Sequence, residues 1–318
     1  MNRHVLSATG LTLAAALTLT ACGGTGGADS AAPAAETADA AFPRTVEHAM
    51  GATELPERPE RVVVLDTGEL DTALSLGVTP VGAVTTAVSE DFLSYLAGDA
   101  ADVEVVGTIA EPNLEAIAAL EPDLILSNKT RHEDIYEELS QIAPTVFADR
   151  VGAVWKENFR LDAEALGLED EAEELLEAYE SDAAALGEDI GDPAGTTVST
   201  TRFVEGAIRV YTAESFIGTV MSDIGLDHLQ LPTGEVATFA ELSAEEVTQA
   251  DADIVLYSSY GSADDSGAAG VVAGPLWPRL TAVEQERAFA VEDDVFYTGI
   301  GLRAATLQLE ELRELLVD

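Results

Sequence analysis

The amino-acid sequence predicts an α/β protein whose two α/β lobes are joined by one long α-helix. Two stretches of the chain alternate short, β-branched-rich apolar runs with apolar residues at helical spacing, and a strand-free helical stretch separates them. Such alternation is typical of a mostly parallel sheet covered by helices. We therefore expect an N-terminal lobe over residues 44–154, a connecting helix over 155–190 and a C-terminal lobe over 191–318.

The first 21 residues have the pattern of a secretory signal peptide. Arg3 supplies a positive charge, and an uncharged stretch rich in Leu and Ala runs from Val5 to Thr20. This stretch is short for a membrane-spanning helix, and a small residue follows it, as in signal peptides. Residues 1–21 are therefore predicted to be removed on export, which places the mature chain outside the cytoplasm.

Cys22 follows directly, in the order Leu-Thr-Ala-Cys, which resembles the bacterial lipobox whose cysteine receives a diacylglyceryl group. It is the only cysteine of the 318 residues, so no disulfide can form within the chain. Lipidation at Cys22 predicts an anchor on the extracytoplasmic face of the cell membrane. A freely secreted protein with an incidental cysteine is the alternative. Residues 22–43 are rich in small and polar residues, which predicts a flexible tether.

The predicted N-terminal lobe contains five apolar runs of four to six residues. Runs of this length, bounded by Gly, Pro or Asp, are typical of buried strands. They lie at 61–66, 80–84, 103–106, 123–127 and 145–148. Helical spacing of apolar residues separates them, at 69–76, 90–96, 113–120 and 133–142.

No strand pattern occurs between residues 155 and 186. Apolar residues recur there at intervals of three and four, as at Phe159, Ala163 and Leu166. This periodicity predicts one long helix, kinked at Gly167, that reaches on the order of 45 Å at about 1.5 Å per residue.

The predicted C-terminal lobe resumes the alternation. Strand patterns lie at 197–203, 207–211, 253–258 and 288–292. Helical patterns lie at 216–224, 244–250 and 302–316, and a turn is expected around 275–280.

An internal repeat supports the two-lobe interpretation. Residues 113–126 and 243–256 share the same spacing of a capping residue, a Glu two positions later and an Asp that opens a strand. Each lobe therefore has a Glu in the first turn of an equivalent helix, Glu115 in one and Glu245 in the other. From the residues alone, these glutamates could simply complement the helix dipole.

The chain is extremely acidic. Its net charge is −44, with 59 acidic residues against 15 basic ones. Nucleic acid is therefore a very poor partner, because its binding depends on cations that neutralise phosphates. Like charge keeps proteins soluble, and we expect a monomer. Because cations are so scarce, an Arg at a strand end is noteworthy.

No pattern for catalysis or direct metal binding stands out. The mature chain has three isolated histidines, no nucleophile-elbow motif and no Gly-rich phosphate loop. We therefore expect neither an enzyme nor a resident cofactor, and no metal ligands from the protein. A lipid-anchored exported enzyme is the alternative class.

Cationic and aromatic residues follow several predicted strands. Ligands of α/β sheets settle at the carboxyl ends of the strands, and bulky ligands favour concave, aromatic-lined sites. The residues are Arg131, Trp155, Arg202, Arg209, Tyr257, Tyr260, Trp277, Phe296 and Tyr297. Core packing of the aromatic rings and solvation of the arginines are the alternatives. The pattern favours a ligand cleft between the lobes.

From about Ala41 to its C-terminus, the chain resembles the iron-siderophore solute-binding proteins of ABC importers, above all their actinobacterial lipoprotein members. The resemblance rests on the order and spacing of five stretches, 62–84, 113–126, 142–159, 202–226 and 276–301. It implies the class III periplasmic-binding-protein fold, capture of a ferric siderophore and delivery to the membrane subunits of an ABC importer. The single rigid connection of that fold implies little closure on the ligand.

The resemblance also implies roles for particular residues. Glu115 and Glu245 would dock to arginines of the importer. Six residues would grip the ferric chelate: Arg131, Trp155, Arg202, Arg209, Tyr260 and Tyr297. Since a siderophore already surrounds its iron with oxygens, guanidinium groups would bond those oxygens and aromatic rings would cover the chelator. At Phe296 relatives often carry Trp, so one cleft wall is expected to differ.

The charge of the chain bears on the class of siderophore. An acidic protein with few cleft cations is a poor host for a triply negative catecholate complex, so hydroxamate chelates are slightly favoured. Cobalamin or haem is the competing ligand within the same fold.

Overall fold

The computed structural model describes residues 42–234 and 236–317. The predicted signal peptide, the predicted lipidation site at Cys22 and most of the predicted tether lie outside these residues. Within the described ranges, no helix combines the length and the apolar character needed to cross a membrane.

The N-terminal lobe is built on a five-stranded sheet. Its strands are β3 (Val62–Val64), β4 (Gly82–Thr85), β5 (Glu104–Thr108), β6 (Leu124–Asn128) and β7 (Thr145–Ala148). All neighbours are parallel, in the order β5-β4-β3-β6-β7. An antiparallel hairpin that the patterns do not predict, β1 (Arg44–His48) and β2 (Gly51–Leu55), precedes the sheet.

Four α-helices belong to this lobe: α1 (Thr67–Ser75), α2 (Leu114–Ala119), α3 (Lys129–His132) and α4 (Tyr136–Ile142). The helix predicted over 90–96 is wrong, because this segment forms turns. Leu93 and Leu96 are buried by a single turn, in which the Leu96 backbone N donates to the Leu93 carbonyl at 2.8 Å. The backbone N of Ser94 donates instead to the Asp294 side chain at 2.8 Å.

Two helices occupy the predicted connecting segment: α5 (Trp155–Leu166) and α6 (Glu169–Ile190). Helix α5 ends because Gly167 takes a left-handed φ of 69°. A Cβ at this position would lie 2.7 Å from the ring of Phe42. Arg58 Nη2 then donates to the Gly167 carbonyl at 2.9 Å, which satisfies the end of the helix. The predicted kink at Gly167 is therefore a full break.

The two connecting helices differ in the elements that they pack against. Helix α5 packs against α1, β1 and β7. Helix α6 packs against two helices of the C-terminal lobe, α7 (Phe216–Ile224) and α10 (Leu302–Leu316). Trp155, Phe159 and Ala163 of α5 also share the hydrophobic core of α6 and α7, so α5 contacts both lobes, and the chain turns at Gly167 into a helix packed on the C-terminal lobe.

The C-terminal lobe has a six-stranded sheet. Its strands are β8 (Thr197–Val204), β9 (Ala207–Tyr211), β10 (Asp227–His228), β11 (Phe239–Leu242), β12 (Ile254–Ser259) and β13 (Ala288–Ala290). The order is β11-β9-β8-β12-β13, with β10 paired to β8. Strands β8, β10, β12 and β13 are parallel, whereas β9 is antiparallel to both its neighbours. Two short helices, α8 (Ala268–Val272) and α9 (Thr281–Glu284), follow β12.

The internal repeat corresponds to the same structural device in both lobes. Asp123, just before β6, accepts hydrogen bonds from the backbone N of Glu60 and of Arg61, both at 2.9 Å. Asp253, just before β12, accepts from the backbone N of Thr197 at 2.8 Å. In each lobe, the carboxylate therefore ties the start of one central strand to the start of its parallel neighbour.

Candidate functional site

A cavity of about 480 Å³ lies between the two lobes. The N-terminal lobe lines it with residues that follow β3, β4, β5 and β6, and the C-terminal lobe with residues of β8 and β9 and of the segments after β12 and β13. The lining residues are Asp66, Thr67, Thr86, Ala87, Ile109, Ala110, Thr130, Arg131, Arg202, Arg209, Tyr260, Tyr297, Thr298 and Ile300. The cavity thus lies at the carboxyl ends of parallel strands, where α/β folds place their ligands.

Arg131 reaches the cavity from the N-terminal lobe. Asn128 caps the short helix α3 by accepting from the backbone N of Arg131 at 3.1 Å. Arg131 Nε donates to Asp66 Oδ2 at 2.9 Å, and this carboxylate is 2% exposed while the Arg131 side chain is 40% exposed. The charge of Asp66 raises the pKa of Arg131, although burial opposes this. The guanidinium is therefore anchored at Nε and open to the cavity at its far end.

Arg202 reaches the cavity from β8 of the other lobe. Its Nε donates to Asp293 Oδ1 at 2.7 Å, and its Nη2 bonds both Asp293 Oδ2 and Thr298 Oγ1. Asp293 also accepts from Ser258 Oγ at 2.7 Å. Burial lowers the pKa of Arg202, but the hydrogen bonds and charge of Asp293 outweigh it and the pKa is raised. A bidentate pair of this kind fixes the plane of the guanidinium.

Arg209 stands beside Arg202, because the antiparallel register of β8 and β9 pairs these two residues. On its other side Arg209 pairs with Glu241 of β11, and its Nε donates to Glu241 Oε1 at 3.2 Å. The guanidinium lies over the ring of Phe239, 4.4 Å from its centroid. The neighbouring strand positions therefore place two arginines on the same wall of the cavity.

Two tyrosines complete this wall. The Arg202 guanidinium lies 4.4 Å from the ring centroid of Tyr260 and 5.8 Å from that of Tyr297. Tyr297 is buried, and its hydroxyl donates to the Leu256 carbonyl at 2.9 Å. Burial raises the pKa of Tyr297 well above its usual range, and the proximity of Tyr211 adds to the effect. Tyr297 thus offers the cavity a neutral ring rather than a free hydroxyl.

Trp155 is not brought to this cavity, which corrects the expectation from the sequence. Its side chain is 2% exposed and packs edge-on against Tyr179 and Phe216, with ring centroids 5.2 and 5.7 Å away. Its Nε1 donates to Thr219 Oγ1 at 3.0 Å. The first residue of α5 therefore faces α6 and α7, within the hydrophobic core of the C-terminal lobe.

Three other aromatic candidates also belong to the core. Phe296 is fully buried and is not among the residues that line the cavity. Tyr257 and Trp277 pack against each other with ring centroids 4.9 Å apart, beneath Phe203. For these residues the core-packing alternative holds.

The sequence patterns missed the two aspartates that hold the arginines. Asp66 could have been found, since it lies two residues after the buried strand β3, at the same edge as Arg131. Asp293 carries no comparable signal, because it is one acid among 59 and sits in an irregular segment that leads into a π-helix (Asp294–Thr298). Thr298, which bonds both Arg202 and Asp293, lies in this π-helix and likewise has no sequence signal.

Three guanidinium groups line the cavity, and each is paired with a carboxylate, of which Asp66 also lines the cavity. Each arginine is paired once, with Asp66, Asp293 or Glu241. The paired acids hold the side chains in place before a ligand arrives, which reduces the ordering cost of binding. The remaining N–H groups can donate to oxygens of a bulky anionic molecule, and the aromatic rings can cover its apolar parts.

Glu115 and Glu245 lie away from the cavity lining, and both are exposed. Asn113 caps α2, accepting from the backbone N of Glu115 and of Ala116 at 3.1 Å. Glu245 lies in the first turn of a 3₁₀ helix (Ala244–Ala250) that begins with a capping box of Ser243 and Glu246. Both glutamates thus project from short capped helices at equivalent places in the two lobes.

In the described ranges 42–234 and 236–317, no group of three or more His, Cys, Asp or Glu is arranged to hold a metal ion. The cavity lining instead presents hydrogen-bond donors and rings.

The chain is similar to known binding proteins in sequence and in fold. Residues 62–295 match the family model described as periplasmic binding protein. The chain is 36% identical over 280 residues to the probable siderophore-binding lipoprotein YfiY of Bacillus subtilis, a match that covers 85% of this chain and 86% of that relative. It is 28% identical over 268 residues to the Fe(3+) dicitrate-binding periplasmic protein FecB of Escherichia coli, covering 83% and 87% of the two chains.

A solved structure shows the same fold. Staphylococcus aureus SirA, complexed with staphyloferrin B, superposes with a TM-score of 0.76 at 30% identity, covering 86% of this chain and 99% of that one. The predicted α/β fold with two lobes is thereby confirmed.

Proposed function

This chain belongs to the periplasmic binding protein family, and from that premise we propose that it captures a ferric siderophore outside the cell and delivers it to an ABC importer. The observation that carries the proposal is the inter-lobe cavity, into which Arg131 projects from one lobe and Arg202 and Arg209 from the other. Relatives named for siderophore and ferric dicitrate binding support it, as does the structural neighbour solved with staphyloferrin B.

In this proposal the protein binds the chelate and leaves the iron to it. The open N–H groups of Arg131 would donate to chelate oxygens, and Arg202 and Arg209 would do so from the opposite wall. Tyr260 and Tyr297 would cover the chelator backbone. A hydroxamate chelate is still slightly favoured: three cavity cations are each matched by a carboxylate, so little positive charge is left for a triply negative complex.

A calorimetric titration of the purified protein tests this function. The panel contains hydroxamate, catecholate and citrate-type ferric chelates, with haem, cobalamin and iron-free chelators as competitors. We expect tight binding of at least one ferric chelate and no chemical change in it. Tight binding of haem or cobalamin alone, or turnover of any ligand, would assign the cavity to another function.

The same titration locates the site. Arg131→Ala and Arg202→Ala should each weaken binding by about 1–3 kcal/mol, the usual loss for a charge-assisted hydrogen bond. Arg160→Ala is the matched control, because Arg160 lies on α5, pairs with Glu173 and does not line the cavity. Unchanged affinity in both cavity variants would place the ligand elsewhere.

Delivery would use the exposed glutamates of the two lobes. One glutamate on each of two lobes gives a two-point contact for arginines of the importer's membrane subunits. Replacing Glu115 and Glu245 together by Ala should abolish uptake of a radiolabelled ferric chelate by cells while leaving its affinity nearly unchanged. Replacing the exposed Glu174 and Glu177 of α6 by Ala is the control. A loss of ligand affinity in the Glu115/Glu245 variant would contradict the docking role.

We further propose a lipid-anchored monomer on the extracytoplasmic face of the membrane. Removal of residues 1–21 and lipidation of Cys22 would leave residues 22–43 as a tether for the lobes at 44–154 and 191–318, with 155–190 between them. Cys22→Ala should release the protein into the medium and abolish its labelling by a fatty acid. Retention of the variant on the membrane would argue against this anchor.

A further inference from the structure

A second, much smaller cavity adjoins the first. Its volume is about 20 Å³, and it shares Asp66 and Ile300 with the lining of the large cavity. It lies where α1 of one lobe, helix α5 and the Ile300–Gly301 segment of the other lobe meet. A space of this size has room for about one water molecule.

Three buried carboxyl groups line this small cavity. Asp66 is 2% exposed, Glu69 4% and Asp162 1%. Oδ1 of Asp162 has no hydrogen-bond partner among the described residues. A buried carboxylate without a partner is costly when it is charged, whereas a protonated carboxyl can share its proton with a neighbour or a water.

A continuous chain of hydrogen bonds joins this cluster to the ligand cavity. Arg131 Nε donates to Asp66 Oδ2 at 2.9 Å. Asn128 Nδ2 donates both to the same Asp66 oxygen and to Glu69 Oε1, each at 3.1 Å. Two hydrogen-bonded side chains, Asn128 and Asp66, therefore separate the Glu69 carboxyl from the Arg131 guanidinium, which faces the ligand cavity.

The surroundings of Glu69 disfavour its charge. Burial raises the pKa of Glu69 to about 7, the charge of Asp66 adds to this, and Asn128 and Arg131 oppose it. Burial also raises the pKa of Asp162 well above its usual range, and the charge of Glu69 adds to the effect. These groups face Glu69 from the start of α1, from the β6–α3 segment and from α5. On the far turn of α1, Asp71 bonds the backbone N of Arg303 from α10.

We propose that Glu69 is a positioning residue for Arg131, that Glu69 and Asp162 share the small cavity as a buried carboxyl pair, and that the Glu69 carboxylate takes up a proton from solvent when an anionic ferric chelate binds beside Arg131. The inference rests on the proposed function and concerns chelates of net negative charge, such as a ferric citrate complex, because the core of a ferric trihydroxamate is neutral. A negative ligand beside Arg131 competes with the acids for that guanidinium, so a charged Glu69 costs more in the bound state. One proton therefore moves from solvent to the Glu69 carboxylate on binding and returns on release.

The sign of the pH dependence follows from this linkage. If the bound state holds more protons, affinity must fall as pH rises through the Glu69 pKa near 7. Between about pH 6 and about pH 8 we expect a loss of about fivefold in affinity, in the usual range for coupled sites. Glu69→Gln keeps the shape and has no charge, so its affinity should stay flat and match that of the wild-type protein at low pH.

The test is calorimetry of the full-length protein with a ferric citrate complex as the anionic chelate, near neutral pH, in two buffers of different ionisation heat. The wild-type protein and the exposed-acid control Glu60→Gln should take up the same fraction of a proton, whereas Glu69→Gln should take up less. Because the chelate's own titration is common to all three proteins, the difference reports Glu69. Equal uptake in all three would overturn the inference, and failure of the wild-type protein to bind any chelate would instead overturn the proposed function.

If the protein binds no chelate, its stability without ligand still tests whether Glu69 holds a proton. A carboxyl whose pKa is raised from 4.5 to about 7 on folding contributes stability below pH 4.5 that is lost as pH rises through about 7. The urea-unfolding stability of the wild-type protein should therefore fall over this interval more steeply than that of Glu69→Gln. Asp162→Asn serves as the second variant if Glu69→Gln does not fold. Identical slopes in the wild-type protein and the variants would show that no proton is held there.

Discussion

Each cleft arginine is useful because an acid fixes it. A free arginine side chain loses considerable rotamer entropy when it binds, and this loss weakens affinity. Arg202 has already lost that freedom, since Asp293 holds it at two nitrogens and Thr298 bonds one of them. Among the residues that the structure describes, Arg131 is held by a side-chain partner at one nitrogen, Nε. The C-terminal wall is therefore the more rigid half of the site.

The Asp293 carboxylate should be critical for both stability and binding. Asp293→Asn breaks the bidentate pair and leaves a largely buried guanidinium without its partner charge, which should reduce the free energy of unfolding by about 3 kcal/mol. Urea unfolding measures this loss, and chelate affinity should fall with it. Glu241→Gln is the matched control, because Glu241 pairs with Arg209 at the surface and should change stability little. Equal effects of the two variants would contradict the anchoring role of Asp293.

At the scale of single residues, the sequence predicted the arginines better than the aromatic rings. Arg131 and Arg202 follow or end central strands, so the rule for α/β sheets placed them correctly at the cavity. Trp155 and Phe296 are large and apolar, and a pattern cannot tell whether such a ring faces a cleft or the core. Both rings lie in the core, because burial of a full aromatic ring is strongly favourable.

At the scale of elements, one carboxylate connects helices of the two lobes. Asp71 of α1 accepts from the backbone N of Arg303 at 2.9 Å and of Ala304 at 3.1 Å, which caps the start of α10. The preceding Gly301 has φ 136°, and a Cβ there would lie 2.5 Å from the Asp71 carboxyl carbon. The glycine is therefore required for the approach of α1 to α10.

This contact should make stability depend on pH. Burial raises the pKa of Asp71 from 3.8 to about 6, while its hydrogen bonds oppose the shift. The stabilising contribution of the protonated group is therefore complete below pH 3.8 and lost as pH rises through about 6. Relative to Asp71→Asn, the wild-type protein should lose up to about 3 kcal/mol of unfolding free energy over that interval.

Urea unfolding at several pH values measures the difference. Asp99→Asn is the control, because Asp99 pairs with the same residue, Arg303, through its exposed side chain. If Asp71→Asn and the wild-type protein showed parallel pH profiles, the carboxyl at position 71 would not be protonated on folding.

The elements that the sequence predicted well are the strongly periodic ones. Strands β7 and β9 and helices α7 and α10 lie at the predicted bounds. The predicted helix at 90–96 failed because burying Leu93 and Leu96 needs only one turn. The β1–β2 hairpin was missed because its strands carry few apolar residues, so no alternation marks them.

At the scale of the whole molecule, the repeat was the most informative signal. Asp123 and Asp253 have the same role in the two sheets, so the two-lobe organisation could be read from spacing alone. The arrangement of the two lobes could not be predicted from the sequence. It depends on the break at Gly167 and on the contacts of α1 with α5 and α10. Those contacts join residues far apart in sequence and leave no periodic trace.

The location of bound iron tests the central claim most directly. In crystals of the protein with its tightest ferric chelate, the anomalous signal of iron should place the metal between the lobes. The chelate oxygens should face Arg131 on one side and Arg202 and Arg209 on the other, with no protein atom bound to the metal. Iron on the outer surface of one lobe, or iron bound by protein carboxylates, would contradict the claim that the protein binds an intact ferric chelate between its lobes.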